Sequence, residues 1–279
     1  MDAIFPIRPD TDTAPPSTFS VEREGRFDRR KLPVMVADYI AEMILEADLQ
    51  PGQKLESEQD MLRSLQVARG TLREALRLLE AEGLITIKTG PGGGPVVDRP
   101  DLGRLTRNLL IFLLTSGATL RHVHEARRVL YPLISRLAAE NATAEQKQAL
   151  LQSVTSMQEK VEDEEAFLAE NSRYLRLMAE ASGNPVLMAF SVSMLDILDG
   201  YSIGVRYTLR SRRETIKSYV ATVAAISDGD ARMASELTDA HVVEALNYIV
   251  HKYPERLDER LRPGPVYRRA SALPVAPAR

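Results

Sequence analysis

The chain has 279 residues and a net charge of −3, so it is long enough for two domains and has no overall positive field to draw it to nucleic acid. Cysteine is absent, which excludes disulfides and thiolate chemistry and suits a reducing compartment. Residues 1–20 lack the apolar stretch of a secretory signal, and the longest apolar run, Leu109 to Leu114, falls far short of the ~20 residues that span a bilayer, so a cytoplasmic protein with no membrane partner is expected.

Residues 1–28, rich in Pro, Asp, Thr and Arg without periodicity, read as a disordered tail. Val36, Ile40, Met43, Ile44 and Leu49 then recur at helical spacing over residues 32–49. LQPGQKL reads as a turn punctuated by Pro51-Gly52. Ser57 followed by Asp60 has the form of a capping box, so a short helix is expected from there to about Leu65. After Val67 comes RGTLREALRLLEAEG, a helix that Gly83 should stop. The short β-branched segments LITIK (Leu84–Lys88) and PVV (Pro95–Val97) flank TGPGGG and predict a small two-stranded wing. Asp98–Asp101 reads as a linker. From Leu102 to about Tyr253 the pattern is helical, with breaks at Ser116-Gly117, Asn141-Ala142-Thr143, Gly183-Asn184-Pro185 and Gly229-Asp230.

The fold class is therefore mainly α: a winged helix-turn-helix over 29–98, then an all-α domain of six or seven helices over 102–254, with 255–279 as a second disordered tail.

At about 100° per residue, Leu72, Ala75, Leu76 and Leu79 form one stripe of the third helix, and Arg69, Arg73 and Arg77 form the next. Leucines would lock the helix inward and hold the arginines outward. Such stripes are common on solvated faces, and Glu74 and Glu80 each lie three residues from Arg77, close enough to pair. The order of elements tips the reading towards DNA. In a winged helix-turn-helix the second helix of the pair enters the major groove by its N-terminal end, where an arginine fork matches phosphate oxygens or a guanine edge. Thr71 sits in the first turn, within reach of a partner met end-on. Lys88, Thr89 and Gly90 at the wing tip bring backbone and charge towards a phosphate.

LQPGQKLESEQDM, VARGTLREALRLLEAEGLI and the glycine-rich wing together resemble the DNA-binding domain of the GntR family of bacterial transcription regulators over residues 32–97. Leu55, Ser57, Glu58, Val67, Arg69, Arg73, Glu74, Ala75, Leu76, Leu79, Gly83 and Leu84 match its pattern, with Leu72 in place of a valine. Gln59 stands where the family has an arginine, which weakens one expected contact. Ala68 stands where it has a Ser or Thr, which removes a cap, although Thr71 with Glu74 offers a shifted one. The helical part is similar to the family's FadR-type effector domain (FCD) over residues 102–250. TLRHVHEARRVLYPLISRLAAENAT, AEASGNPVL and GDARMASELTDAH carry that likeness.

Many such domains hold a divalent metal with one Asp and three His. The resemblance puts those positions at Asn171, Leu175, Tyr219 and His241, so a single histidine would remain and no metal or other cofactor is expected. His122, His124 and His251 do not restore the set, since His122 and His124 diverge on a helix. Arg127, at the family's Glu-x-Arg position, is implied as the anchor of a carboxylate or other anionic effector; without the resemblance it reads as a structural ion pair. Asn171 and Tyr219 would line the same cavity. His241 reads as a satisfied core histidine or a ligand contact, and Met194 and Tyr201 as core. Leu and Tyr in place of metal ligands suggest a more apolar, acyl-like effector.

The resulting expectation is a homodimer on palindromic double-stranded operator DNA, modulated by a small-molecule effector. The rival readings are a metal-free helical enzyme working with a buried carboxylate pair and a purely structural scaffold. The chain lacks Gly-x-Ser-x-Gly, a P-loop and His-Glu-x-x-His.

Overall fold

The structure, a computed structural model, describes residues 31–90, 92–99, 102–201 and 205–261, and the side chains of these except 197–201. The expected tails at 1–28 and beyond 261, and the side chain of Tyr201, lie outside the described residues. The chain divides between Asp101 and Leu102 into two compact units.

The first unit is α1 (Leu32–Glu46), α2 (Glu58–Leu65), α3 (Arg69–Glu82), β1 (Ile85–Lys88) and β2 (Gly94–Val97). Its core joins Val36, Ile40 and Ile44 of α1 to Met61 and Leu65 of α2 and to Leu72, Ala75, Leu76 and Leu79 of α3, with Ile85 and Val97 closing it from the wing. Each of these side chains apart from Ala75 stabilises the unit by about 1.5–3 kcal/mol when fully buried. Ser57 caps α2 by accepting the Asp60 amide at 3.3 Å. The reciprocal bond of a capping box is replaced by the Ser57 hydroxyl donating to Asp60 Oδ2 at 2.6 Å. α3 ends at Gly83, whose φ of +82° is the left-handed conformation that glycine adopts without penalty.

The strands pair antiparallel, Ile85 opposite Val97 and Lys88 opposite Gly94. LQPGQKL is more than the expected turn. Its second half runs along the free edge of β2: the Gly52 amide donates to the Val97 carbonyl at 2.9 Å, the Val97 amide to the Gln53 carbonyl at 2.8 Å, and the Leu55 amide to the Pro95 carbonyl at 3.0 Å. β2 thus has partners on both sides.

The second unit is α4 (Leu102–Thr115), α5 (Leu120–Asn141), α6 (Ala144–Glu159), α7 (Glu164–Ala181), α8 (Pro185–Tyr201), α9 (Leu209–Asp228), α10 (Ala231–Lys252) and the short α11 (Pro254–Leu257). The long α5 and α10 lie against each other, α7, α8 and α9 also contact α5, and α6 covers α7 and α9. The main core gathers Tyr131 and Ile134 of α5, Met157 of α6, Tyr174 and Met178 of α7, Tyr219 and Ile226 of α9 and Val242 of α10. Met194 is buried, as expected, in a smaller cluster with Leu110, Val123 and Leu261.

Among the described residues seven helices, α4 to α10, occupy 102–254, as expected; one of their boundaries is a break at Asp163 in the acidic run before α7, where the carboxylate caps α7 by accepting the Glu165 and Ala166 amides, and α11 adds a last turn beyond them. One expectation is corrected here. The stretch 255–261 is not tail-like. Leu257 and Leu261 are buried, Asp258 takes two hydrogen bonds from Arg121 at 2.8 and 2.9 Å, and the Leu261 amide donates to the Ala118 carbonyl at 2.9 Å. Those apolar contacts offset the entropy that would otherwise leave the segment loose.

Candidate functional site

In the first unit the four core residues of α3 fix its azimuth, so Arg69, Arg73 and Arg77 all emerge on the exposed side, while Thr71, about half a turn round the helix from Arg69 and Arg73, is half-buried. Arg69 has no partner among the described residues. Arg73 Nε lies 3.3 Å from Glu58 Oε2 and Arg77 Nη1 3.5 Å from Glu74 Oε2. All four of these side chains are exposed, and solvated pairs of this kind contribute about 0–1 kcal/mol, little enough for a polyanion to displace them. Glu80, the other expected partner of Arg77, accepts the Ile87 amide at 3.1 Å and ties α3 to β1.

The shifted cap expected from Thr71 and Glu74 is not formed. α3 starts at Arg69, with Ala68 in the cap position and no side-chain cap bond. The first amides of the helix are therefore open, and nothing lies within 4 Å of where a Cβ on Gly70 would stand. An uncapped helix start with clear space before it suits a phosphate oxygen. Gln59 is exposed in the first turn of α2. Lys88, Thr89 and Gly90 are exposed on the wing. At Gly93 a Cβ would stand 2.3 Å from the Lys88 carbonyl oxygen, so only glycine closes that turn. Lys54, which sequence reasoning passed over, donates from Nζ to the Gly92 carbonyl at 2.7 Å and braces the wing tip.

In the second unit, helices α5, α7, α9 and α10 enclose a cavity of about 110 Å³, and Arg127, Asn171, Tyr219 and His241 all line it. Leu175, the fourth position that the family resemblance marks, lines it too. So does His124, which sequence reasoning dismissed; Leu120, His124 and Arg127 at four- and three-residue steps share one face of α5, and that spacing was the available signal. His122 does diverge: it is exposed, and its Nδ1 accepts the Thr119 amide at 3.1 Å. The strap before α9, Val205–Thr208, puts Val205 and Tyr207 into the wall. It is pinned by Glu164, which accepts from Arg206 Nε and Nη2 at 3.0 and 2.7 Å and from the Tyr207 amide at 2.8 Å, and by the Tyr248 hydroxyl donating to the Arg206 carbonyl at 2.6 Å.

Among the described residues, Arg127 is the only charged side chain lining this cavity. Its guanidinium sits over the Tyr131 ring at 4.8 Å, its Nε is buried without a hydrogen-bond partner, and no carboxylate among the described residues pairs with it. The structural ion pair that the sequence alone would suggest for Arg127 is absent among those residues. Buried polar atoms of His124 (Nδ1), Tyr131 (Oη) and Tyr174 (Oη) are likewise unpartnered. Burial, and then the neighbouring Arg127 charge, push the imidazole of His124 down to about 3 and that of His241 to about 4, so both are neutral near pH 7. Burial raises the Tyr219 phenol, which stays protonated and donates to Asn171 Oδ1 at 2.9 Å. Tyr219 also stacks on Tyr174 at 4.1 Å and meets His241 edge-on at 4.8 Å.

These residues do not suit a divalent cation. Leu175 has no lone pair, Asn171 already accepts from Tyr219, no carboxylate among the described side chains lines the cavity, and a fixed positive charge shares it. Among the described residues there is no group of three or more His, Asp or Glu placed to hold a metal. What the arrangement can do is take an anion: a buried guanidinium lacking a counter-charge gains most from one that arrives with a ligand.

Both units find counterparts among known proteins. A family model described as "Bacterial regulatory proteins, gntR family" matches residues 32–93, and one described as "FCD domain" matches residues 122–244. The chain belongs to the GntR family of transcription regulators, with a FadR-type (FCD) helical domain. Its relatives include the "HTH-type transcriptional repressor NanR" of Salmonella typhimurium (strain LT2) and of Salmonella typhi, each 27% identical over 247 residues, covering 87% of this chain and 93% of the relative. Among solved structures, a Streptococcus agalactiae GntR superposes with a TM-score of 0.57 at 20% identity, covering 77% of this chain and 99% of that one. These relatives and folds are regulators rather than enzymes. No helix among the described residues is long and apolar enough to cross a membrane.

Proposed function

We propose that this chain is a cytoplasmic, dimeric repressor that binds a palindromic operator through its winged helices and answers to a small organic anion in its helical domain. The boundaries of the two working parts are taken as 29–98 and 102–254. Arg69, Thr71, Arg73 and Arg77 on α3 would meet the major groove, supported by Gln59 from α2 and by Lys88, Thr89 and Gly90 from the wing. Repression follows the relatives named as repressors. Dimer formation is supported by apolar surface left open on α4 and α8, where Phe112 is 65% and Phe190 49% exposed. The site is metal-free, and Asn171, Tyr219 and His241 shape and orient the ligand around Arg127.

The single observation that carries the ligand reading is the Arg127 guanidinium, lining the cavity with no acid partner among the described residues. A ligand regulates only if it binds the DNA-competent and DNA-incompetent states unequally. The test joins both ends. In a gel-shift titration on the operator at fixed salt, Arg73→Ala is expected to weaken binding by about 1–3 kcal/mol. A carboxylate that releases wild-type protein from the operator is expected to leave Arg127→Met bound. Wild-type operator affinity for Arg73→Ala, or unimpaired release of Arg127→Met, overturns the corresponding half.

A further inference from the structure

The three arginines of the α3 stripe are held in three different ways. Arg69 has no partner among the described residues. Arg77 meets Glu74 of its own helix through Nη1, at 3.5 Å. Arg73 is engaged from another helix and by a different nitrogen: its Nε donates to Glu58 Oε2 at 3.3 Å, 15 positions back in the chain. A guanidinium carries five N–H donors, and Nε accounts for one of them. The four on Nη1 and Nη2 of Arg73 have no partner among the described residues.

Both ends of this bond stand on fixed parts. Ser57 caps α2 immediately before Glu58, and Met61 and Leu65 anchor that helix in the core that also holds Leu72 and Leu76 of α3. No cation on α2 competes for the carboxylate: Gln59 beside it is uncharged, and Arg63, the one cation of that helix, pairs with Asp60.

We propose that Glu58 is a positioning residue for base reading: by holding Nε it turns the end-on fork of Arg73, Nη1 and Nη2, towards the edge of a guanine. This rests on the operator reading and says which arginine of the stripe reads sequence. An end-on fork spans the O6 and N7 acceptors of guanine, and taking them leaves the bond to Glu58 in place. A pair so exposed adds little to folding stability. Its effect is on order instead, because a long side chain restrained beforehand has less rotamer freedom to lose on the base. Arg69, unrestrained at the uncapped start of α3, suits a phosphate, which fixes register without carrying sequence.

Selection of bound duplexes from a random-sequence pool by the full-length chain, read out by sequencing, tests the proposal. Wild type is expected to enrich a site with a guanine that Arg73→Ala no longer selects. Glu58→Ala is expected to weaken discrimination at that base pair alone by about tenfold, equivalent to ~1.4 kcal/mol, with the other positions of the site unchanged. Glu58→Gln, whose amide oxygen can still accept from Nε, is expected to keep the preference. An equally sharp guanine preference in Glu58→Ala overturns the proposal. So does an even flattening across the whole site, the result of a merely structural role at the start of α2. A Glu58→Gln as flat as Glu58→Ala would assign the effect to charge and overturns it too. If Arg73→Ala weakens every sequence equally, this inference sinks and the operator reading stands. If wild type enriches no sequence, both fall.

Discussion

The two units keep their candidate functional side chains in opposite ways. In the winged unit they sit outside a leucine-rich core and contribute almost nothing to holding it; Arg69, Arg73 and Arg77 are exposed, and their ion pairs are solvent-screened. In the helical unit the functional candidates are part of the interior. Arg127, His124 and Tyr131 lie among the core helices with buried polar atoms lacking partners, which costs stability until a ligand supplies them. A surface that reads a polyanion can be rigid before it binds. A cavity held short of full satisfaction leaves polar groups that a ligand, if it binds as proposed, would complete.

That contrast can be broken in several ways, the largest effect first. Acid should weaken the helical unit more than the winged one. His124 and His241 have folded-state values near 3 and 4, below the ordinary 6.5 of an unfolded chain, so the unfolded state binds more protons as pH falls. Stability is then full above about pH 6.5 and lost as pH drops towards 4, by about 3 kcal/mol for each imidazole. Hydrogen exchange read by region should show α5 and α10 losing protection first; protection that is flat with pH over those helices would contradict the burial of both imidazoles. Next, Arg127→Met should raise the melting temperature of ligand-free protein, by about 1–2 kcal/mol of stability, because it removes a buried charge with no acid partner among the described residues. A lower melting temperature would reveal a counter-charge. A third, smaller effect falls in the wing: Gly93→Ala should cost about 1 kcal/mol in the first unit and shift operator affinity, since its Cβ meets backbone rather than a flexible side chain. Least of all, Arg77→Ala should change stability by under ~0.5 kcal/mol, consistent with its exposed pair to Glu74. A calorimetric loss above 1 kcal/mol would assign that arginine a structural role.

Much of this was legible in the sequence where the chemistry is local. Ser57, Gly83, Thr143 and the Gly229-Asp230 pair each end or start a helix through bonds to residues at most four positions away, and all four were visible as punctuation. The core stripe of α3 followed from period alone. What escaped depends on partners far along the chain. The edge strand at residues 52–55 has meaning only once β2 returns to it. The strap at 205–208 is set by Glu164 and Tyr248, each some forty residues away, as the Arg206 bonds to both make plain. Arg121 pins Asp258 from 137 positions off, which turned an unremarkable Arg- and Glu-rich end into a docked one. In the cavity, the positions marked by resemblance converged, but His124 was set aside for its distance from His122 when its step to Arg127 was the informative one.

The three-way braid around β2 has a mechanical consequence. Because the stretch joining the first two helices is woven into the hairpin, and Lys54 clasps its tip through the Gly92 carbonyl, the hairpin cannot swing independently of the helices it flanks. Groove-reading ridge and flanking finger therefore travel as one die. If two copies sit on an operator as proposed, a change in their spacing would disengage every contact of a half-site together and give an all-or-none response.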